Sequence, residues 1–213
     1  MAGKAVTKVW EITGYIPVTV LLLAGASGWL AVNGFYGMDG STISILVVLN
    51  PVYVVGSLLT HSNWSHYAGN MSIIVPVGIV LTWLTSNRHV LGAVLLSHMP
   101  AVFVVGLTLH QVGIGASAAA YGLLAATLVR GTQVAAQRQS SRTLWVLLLL
   151  LMVPFTLAIL YVGVTRTSTD VGHFAHLFGF VFGGAYEAIY VFSEREQERT
   201  AGIEGSRQAP WQG

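Results

Sequence analysis

The stretch GIGASAAAY, residues 113–121, sets a glycine-punctuated turn before an apolar helix and places Ser117 in the first turn of that helix. Serine is a common residue at helix N-termini, so this position alone is ordinary. Two further stretches, HYAGN at 66–70 and GHFAHLFG at 172–179, also put hydrogen-bonding side chains at the start of an apolar helix. The organisation of the chain depends on whether these three helix starts meet.

The composition is that of a protein surrounded by lipid. Of the 213 residues, 54% are hydrophobic and 8% are charged, whereas soluble domains carry about 25% charged residues. So few charges cannot cover a surface that faces water, which predicts an integral membrane protein in contact with the lipid bilayer. The net charge of +2 is too small to suggest a nucleic-acid partner, and the absence of cysteine excludes disulfides and thiolate metal ligands.

The apolar runs predict an all-α bundle of six transmembrane helices. The first run, Ile12–Val32, is free of charge and long enough to span a bilayer. The other five are His66–Leu84, Val90–Leu109, Ser117–Val129, Leu144–Val164 and Gly172–Phe192. This divides the chain into an N-terminal segment, 1–11, a six-helix membrane domain, 12–193, and a polar tail, 194–213, which we expect to be frayed.

The stretch Ile43–Leu59 is apolar enough for a seventh span, but Asn50-Pro51 interrupts it, and proline disfavours a continuous helix. The distribution of Lys and Arg decides between the two models. With six spans and the N-terminus inside, nine basic residues lie on the inner side and only Arg166 lies outside. We therefore interpret Gly34–Ser65 as a long outer loop, partly embedded at the interface, in a multi-pass cell-membrane protein with both termini cytoplasmic.

This topology puts the three polar helix starts at one depth. Segments two, four and six all run from the outside to the inside, so His66, Asn70, Ser117 and His176 all lie near the outer face. Random placement of three such clusters would rarely give this coincidence. One helix bundle can bring them together.

These side chains are the parts of acyl-transfer chemistry. His66 and Asn70, four residues apart, share one helix face and can both donate hydrogen bonds. Ser117 offers a hydroxyl and an unpaired backbone N–H at the positive end of a helix dipole. His176 offers an imidazole that can accept a proton at neutral pH. A nucleophile, a base and oxyanion donors are thus present, in a Ser–His dyad without an acid.

Other interpretations of the histidines stay open. A zinc site from His61, His66, His173 and His176 is conceivable, but HExxH, cysteine and a carboxylate partner are missing, so we expect neither metal nor cofactor. A transporter with a histidine proton relay would predict an acidic residue mid-membrane and internal repeats, and we find neither. We expect His98, close to Pro100, to be structural.

Small residues predict close helix contact as the alternative to catalysis. Gly179 and Gly183 form a GxxxG pattern, which by itself indicates only a helix interface. Here it would let segment six approach segment four and bring His176 to Ser117.

Three patterns along the chain resemble the rhomboid family of intramembrane serine proteases. The second segment resembles H-x4-H-x3-N, the fourth G-x-S-G-x-x-Y, and the sixth A-H-x-x-G-x-x-x-G. The matching residues are His61, His66 and Asn70; Gly115, Ser117 and Tyr121; and Ala175, His176, Gly179 and Gly183. Three patterns in the right order on alternate helices make a specific signal.

The resemblance implies Ser117 as nucleophile and His176 as general base and acid. It implies the Ser117 N–H, His66 and Asn70 as oxyanion donors, with Tyr121 packed against the His176 ring. Substrates would be transmembrane proteins cleaved near the outer face. A catalytically inactive relative that binds membrane clients is the alternative.

Two positions depart from the family pattern. Ala118 follows the serine where glycine is usual, and Val52-Tyr53 stands where many members have Trp-Arg.

Overall fold

The computed structural model describes residues 16–35, 50–110, 115–137 and 170–207, together with single positions between 143 and 165. Six helices make up the continuous ranges, and the all-α fold class is confirmed. They are α1 (Val18–Val32), α2 (Pro51–Leu59), α3 (Trp64–Leu84), α4 (Asn87–Leu109), α5 (Ser117–Gln137) and α6 (Asp170–Arg207). The predicted fifth segment, Leu144–Val164, lies largely outside the described residues.

Three of the described helices are long and apolar enough to cross a membrane: α3, α4 and residues Gly172–Ala201 of α6. Helix α1 is apolar but has 15 residues. Large apolar side chains such as Leu22, Trp83 and Ile189 are at least 60% exposed on the outer surface of these helices. Lipid tails can cover such side chains without the free-energy cost they would have in water. The chain is therefore an all-α membrane protein.

Helix α5 lies at the centre of the bundle and contacts α3, α4 and α6. Most of its side chains are buried, and many are alanine or glycine rather than large apolar residues. Lipid-facing helices need strongly apolar surfaces, whereas a helix surrounded by protein needs small residues that let its neighbours approach. This explains why the helix that begins with Ser117 is less hydrophobic than α3 or α4.

Glycines set the closest approach between α5 and α6. A side chain on Gly179 would collide with the backbone of Ala118, and one on Gly183 with the backbone of Gly122. The GxxxG pattern of the sixth segment thus lies against α5, as the sequence suggested. A third glycine, Gly78 of α3, lies against α1.

Helix α2 occupies part of the predicted outer loop, and proline begins this helix rather than breaking it. The Oδ1 atom of Asn50 accepts the Val52 N–H at 3.0 Å, and Pro51 takes the first helical position. Proline suits that position because its missing N–H would have no intrahelical partner there. Nine residues rise about 14 Å, too little to span a bilayer. Val54 and Leu58 are buried.

Two helices extend beyond their predicted ends. Helix α5 runs to Gln137 instead of Val129, and α6 runs to Arg207, so much of the tail expected to be frayed is helical. The guanidinium of Arg130 forms an ion pair with Glu194 at 2.6 Å across the two helices. Polar residues past the apolar runs therefore pair with each other and continue the helices.

Candidate active site

Ser117 begins α5 directly after a tight turn. Gly115 in that turn has a φ of +96°, a left-handed conformation that glycine adopts without strain. The N–H of Gly115 donates to the Ser57 carbonyl at 2.7 Å, and the N–H of Ala120 donates to the Ala116 carbonyl at 2.8 Å. Ser117 is 8% exposed. Ser117 is thus a buried residue at the positive end of the helix dipole.

His176 of α6 lies beside the first turn of α5. Its ring stacks on Tyr121, with ring centroids 4.3 Å apart and planes 15° apart. Tyr121 is one turn after Ser117. Gly179, three residues after His176, packs against the backbone of Ala118. The contact between the two helices therefore holds the imidazole next to the helix start that carries the serine.

His66 and Asn70 of α3 form the opposite wall of the site. A Cβ atom on Gly115 would lie 2.8 Å from His66 Cε1 and 3.2 Å from Asn70 Nδ2. Asn70 is 7% exposed, and its Nδ2 has no hydrogen-bond partner within the described part of the chain. A buried donor without an acceptor is costly. The Asn70 amide therefore carries an unused donor on this wall of the site.

His61, which lies just before α3, contacts the turn that precedes Ser117. Its Nε2 accepts the Ala116 N–H at 3.4 Å, and its ring contacts those of His66 and Tyr67 edge to face. Burial, with a smaller contribution from the charge of His66, lowers the pKa of His61 to about 4. A neutral ring is required here, since only a neutral imidazole has a lone pair for the Ala116 N–H.

We expect the stability of the protein to fall on acidification because of His61. Its pKa is about 4 in the folded chain against 6.5 unfolded, so the unfolded chain binds more protons between these values. The free energy of unfolding then decreases as pH falls through that window. Thermal midpoints in detergent micelles, measured from about pH 7.5 to about pH 5, should fall less in His61→Gln, whose amide oxygen can accept without titrating.

The control for this measurement is Ser72→Ala, a change at an exposed residue that carries no titrating group. It should keep the wild-type pH dependence. An equal fall in wild type and His61→Gln would show that His61 is not the titrating group.

The histidines do not assemble a metal site within the part of the chain that the structure describes. No group of three His, Cys, Asp or Glu side chains there is placed to hold a metal ion. His61 and His66 have ring centroids 5.4 Å apart, but no third ligand joins this pair in the described ranges.

A second polar cluster, which the sequence analysis missed, lies further along α6. The expectation that no acidic residue lies mid-membrane overlooked Glu187, which is 0% exposed within the sixth segment. Its carboxylate contacts His89 of α4 and accepts from Arg130 Nε of α5 at 2.6 Å. In the sequence, this cluster is indicated by a single Glu in the otherwise apolar sixth segment and by an Arg at the same end of the neighbouring helix.

Comparison with known protein families identifies the family of the chain. The Rhomboid domain family model matches residues 50–193, more than half of the chain. No curated protein and no solved structure matches it. The matched range includes Ser117, His176, His66 and Asn70. Proteins of this family are generally serine intramembrane proteases that act on transmembrane substrates within the bilayer. Because this family model matches more than half of the chain, and because the chain folds as a bundle of apolar helices, the chain belongs to the rhomboid family.

Proposed function

We propose that this protein is an intramembrane serine endopeptidase that hydrolyses peptide bonds of transmembrane protein substrates near the outer membrane face. The observation that carries the proposal is the His176 ring stacked on Tyr121 at the helix start that holds Ser117. A base close to a hydroxyl at a helix N-terminus would supply the elements of an activated serine nucleophile. Family membership supports the same reaction class.

In the first step, Ser117 Oγ attacks the scissile carbonyl carbon while His176 accepts the hydroxyl proton. The carbonyl oxygen becomes an oxyanion, which the Ser117 N–H, His66 and Asn70 bind. The unpartnered Nδ2 of Asn70 supports this role, because the oxyanion would supply the acceptor that this donor lacks. His176 then gives its proton to the leaving amine as the C–N bond breaks.

In the second step, water attacks the acyl-enzyme ester. His176 accepts a proton from the water, the new C–O bond forms, and the ester bond to Ser117 breaks as the proton returns to Oγ. The proposed scheme uses a Ser–His dyad, in which the stacked Tyr121 ring orients the imidazole.

We expect Asn70→Ala to slow cleavage by about a hundredfold or less. Removing one oxyanion donor elsewhere costs about 100- to 1000-fold, and this site keeps two other donors. The measurement is the initial rate of cleavage of a model transmembrane substrate in detergent or liposomes. Ser72→Ala, an exposed position on the same helix, is the control and should cleave at the wild-type rate.

His66→Ala should be slower than Asn70→Ala, since its half-buried imidazole also fills space beside Gly115. Wild-type rates in both variants would show that α3 does not face the reacting carbonyl.

Labelling with a serine-reactive fluorophosphonate separates an active protease from an inactive relative. Purified wild type should be labelled and Ser117→Ala should not, because the probe reacts only with an activated hydroxyl. A wild-type protein that is never labelled, although folded, would favour the inactive relative that binds membrane clients.

The basic residues predict the orientation of the site. We propose that both termini are cytoplasmic and that Ser117 lies near the outer face. Because the chain has no cysteine, single cysteines can be introduced without background. In intact cells, Ser168→Cys should react with an impermeant thiol reagent, and Gln139→Cys should react only after the membrane is opened. The reverse pattern would place the site on the inner side.

A further inference from the structure

We propose that His98 of α4 and Ser57 of α2 form a positioning pair, which holds the turn before Ser117 in its reactive geometry. This inference rests on the proposed function. It gives a role in the reaction to a histidine that sequence alone suggested was structural, and to a short helix in the outer loop.

His98 donates a hydrogen bond into α2. Its Nε2 lies 3.0 Å from Ser57 Oγ and 3.2 Å from the Val54 carbonyl oxygen. The Ser57 hydroxyl donates to that same carbonyl at 2.7 Å. The carbonyl can only accept, and the hydroxyl proton is already used, so Nε2 carries the ring proton. The pair is shielded from solvent, with Ser57 2% and His98 1% exposed.

Ser57 also binds the turn that leads to the nucleophile. Its carbonyl accepts the Gly115 N–H at 2.7 Å, two residues before Ser117. The next N–H, that of Ala116, donates to His61, which follows α2. Two consecutive backbone N–H groups before Ser117 are thus bound by Ser57 of α2 and by His61, which lies two residues after the end of α2. A shift of α2 would move both acceptors together.

Helix α2 needs such an anchor because it is only nine residues long. Short helices have little stability of their own and depend on tertiary contacts. His98 belongs to the 23-residue helix α4, which packs directly against α5 and α6. The hydrogen bond from His98 therefore links the turn at Gly115, through Ser57, to the rigid part of the bundle. Small displacements of reacting groups can cost about a hundredfold in rate.

The test measures fluorophosphonate labelling of Ser117, substrate cleavage and the thermal midpoint in micelles for three variants. Ser57→Ala and His98→Leu should slow labelling and lower kcat by about tenfold or more, with KM nearly unchanged, since bound substrate meets a misplaced hydroxyl. His98→Gln, whose amide can donate at the position of Nε2, should recover most of the rate. The double variant should be no slower than the slower single one, because both remove the same bond.

Thr82→Val is the matched control. Thr82 is 2% exposed, and its hydroxyl donates within α3 to the Gly78 carbonyl at 2.8 Å. It should lower the thermal midpoint about as much as Ser57→Ala and leave labelling unchanged. Ser57→Ala removes a single oxygen atom, so it tests the pair even if His98→Leu fails to fold.

Wild-type labelling rates in Ser57→Ala and His98→Leu would overturn the inference and leave the proposed function intact. The same holds if His98→Gln is as slow as His98→Leu while both are folded. Absence of labelling in the wild type would overturn the proposed function and this inference together.

Discussion

Replacing Ser117 or His176 with alanine should abolish cleavage of a transmembrane substrate while leaving the protein folded. Ser117 supplies the attacking oxygen and His176 the proton transfers, so neither step proceeds when one is missing. Serine-protease residues of this kind act as a unit, and losing the serine or histidine elsewhere costs about a millionfold in kcat. The double variant should therefore be little worse than either single one. Cleavage is measured by gel analysis of a tagged substrate.

Folding controls make this result interpretable. Ser117 is nearly buried within α5, and alanine is a good helix former, so the thermal midpoint of Ser117→Ala should match wild type. His176→Ala leaves space against Tyr121 and should lower the midpoint modestly. Substantial cleavage by Ser117→Ala would contradict the serine-protease mechanism, whatever the behaviour of His176→Ala.

Replacing Glu187 with glutamine should cause the largest loss of stability among single polar substitutions in the described part of the chain. The carboxylate is 0% exposed and compensates the charge of Arg130, whose side chain is 6% exposed. Breaking a buried pair by removing one partner costs about 3–5 kcal/mol, and we expect the lower end of that range because Glu194 still pairs with Arg130. Glutamine keeps the shape, so the loss reports charge rather than a cavity. Unfolding in mixed micelles measures the free energy of unfolding.

Glu194→Gln is the matched control, since Glu194 also pairs with Arg130 at 2.6 Å but its side chain is 36% exposed. Glu194→Gln should lower the free energy of unfolding by about 1 kcal/mol or less, as is usual for surface ion pairs. Equal losses in the two variants would show that Glu187 is as well solvated as the rim of the bundle. Because Glu187 is 11 residues, about 16 Å along α6, from His176, folded Glu187→Gln should still be labelled at Ser117.

The cluster around Glu187 also explains how α6 keeps its axial position. Glu187 joins α6 to α4 through His89 and to α5 through Arg130. Glycine contacts such as Gly183 against Gly122 bring the backbones of α6 and α5 close together. The buried ion pair between Glu187 and Arg130 adds a polar contact that is made in one register of the two helices. This register sets the height of His176 relative to Ser117.

Much of the candidate site could be predicted from sequence because its chemistry is local. Ser117 follows a glycine turn, and His66 and Asn70 lie one helical turn apart. His176 precedes a GxxxG pattern, so each group is recognisable in the sequence as a short motif. Charge asymmetry and apolar length predict a topology that puts these motifs at one depth. The structure then brings His66 and Asn70 to Gly115, and His176 to Tyr121.

The starts and ends of helices were less predictable. Pro51 was read as a helix breaker, yet with Asn50 as cap it begins α2. The end of α6 was placed near Phe192, where the apolar run stops, although the helix continues to Arg207. Hydrophobicity reports which residues face lipid or protein. Helix ends depend on which partner satisfies each backbone and charged group, and a lone sequence does not name that partner.

The sequence by itself indicated a membrane protein of the rhomboid family, with a serine, two histidines and an asparagine near the starts of three predicted segments. Only the tertiary structure decided what holds them: His98 bonded to Ser57, and Glu187 bonded to His89 and Arg130. These partners are 41, 98 and 57 residues apart in the chain. Periodicity and motif spacing act over a few helical turns, whereas such pairs exist only when the bundle has closed and excluded the water that would otherwise solvate them.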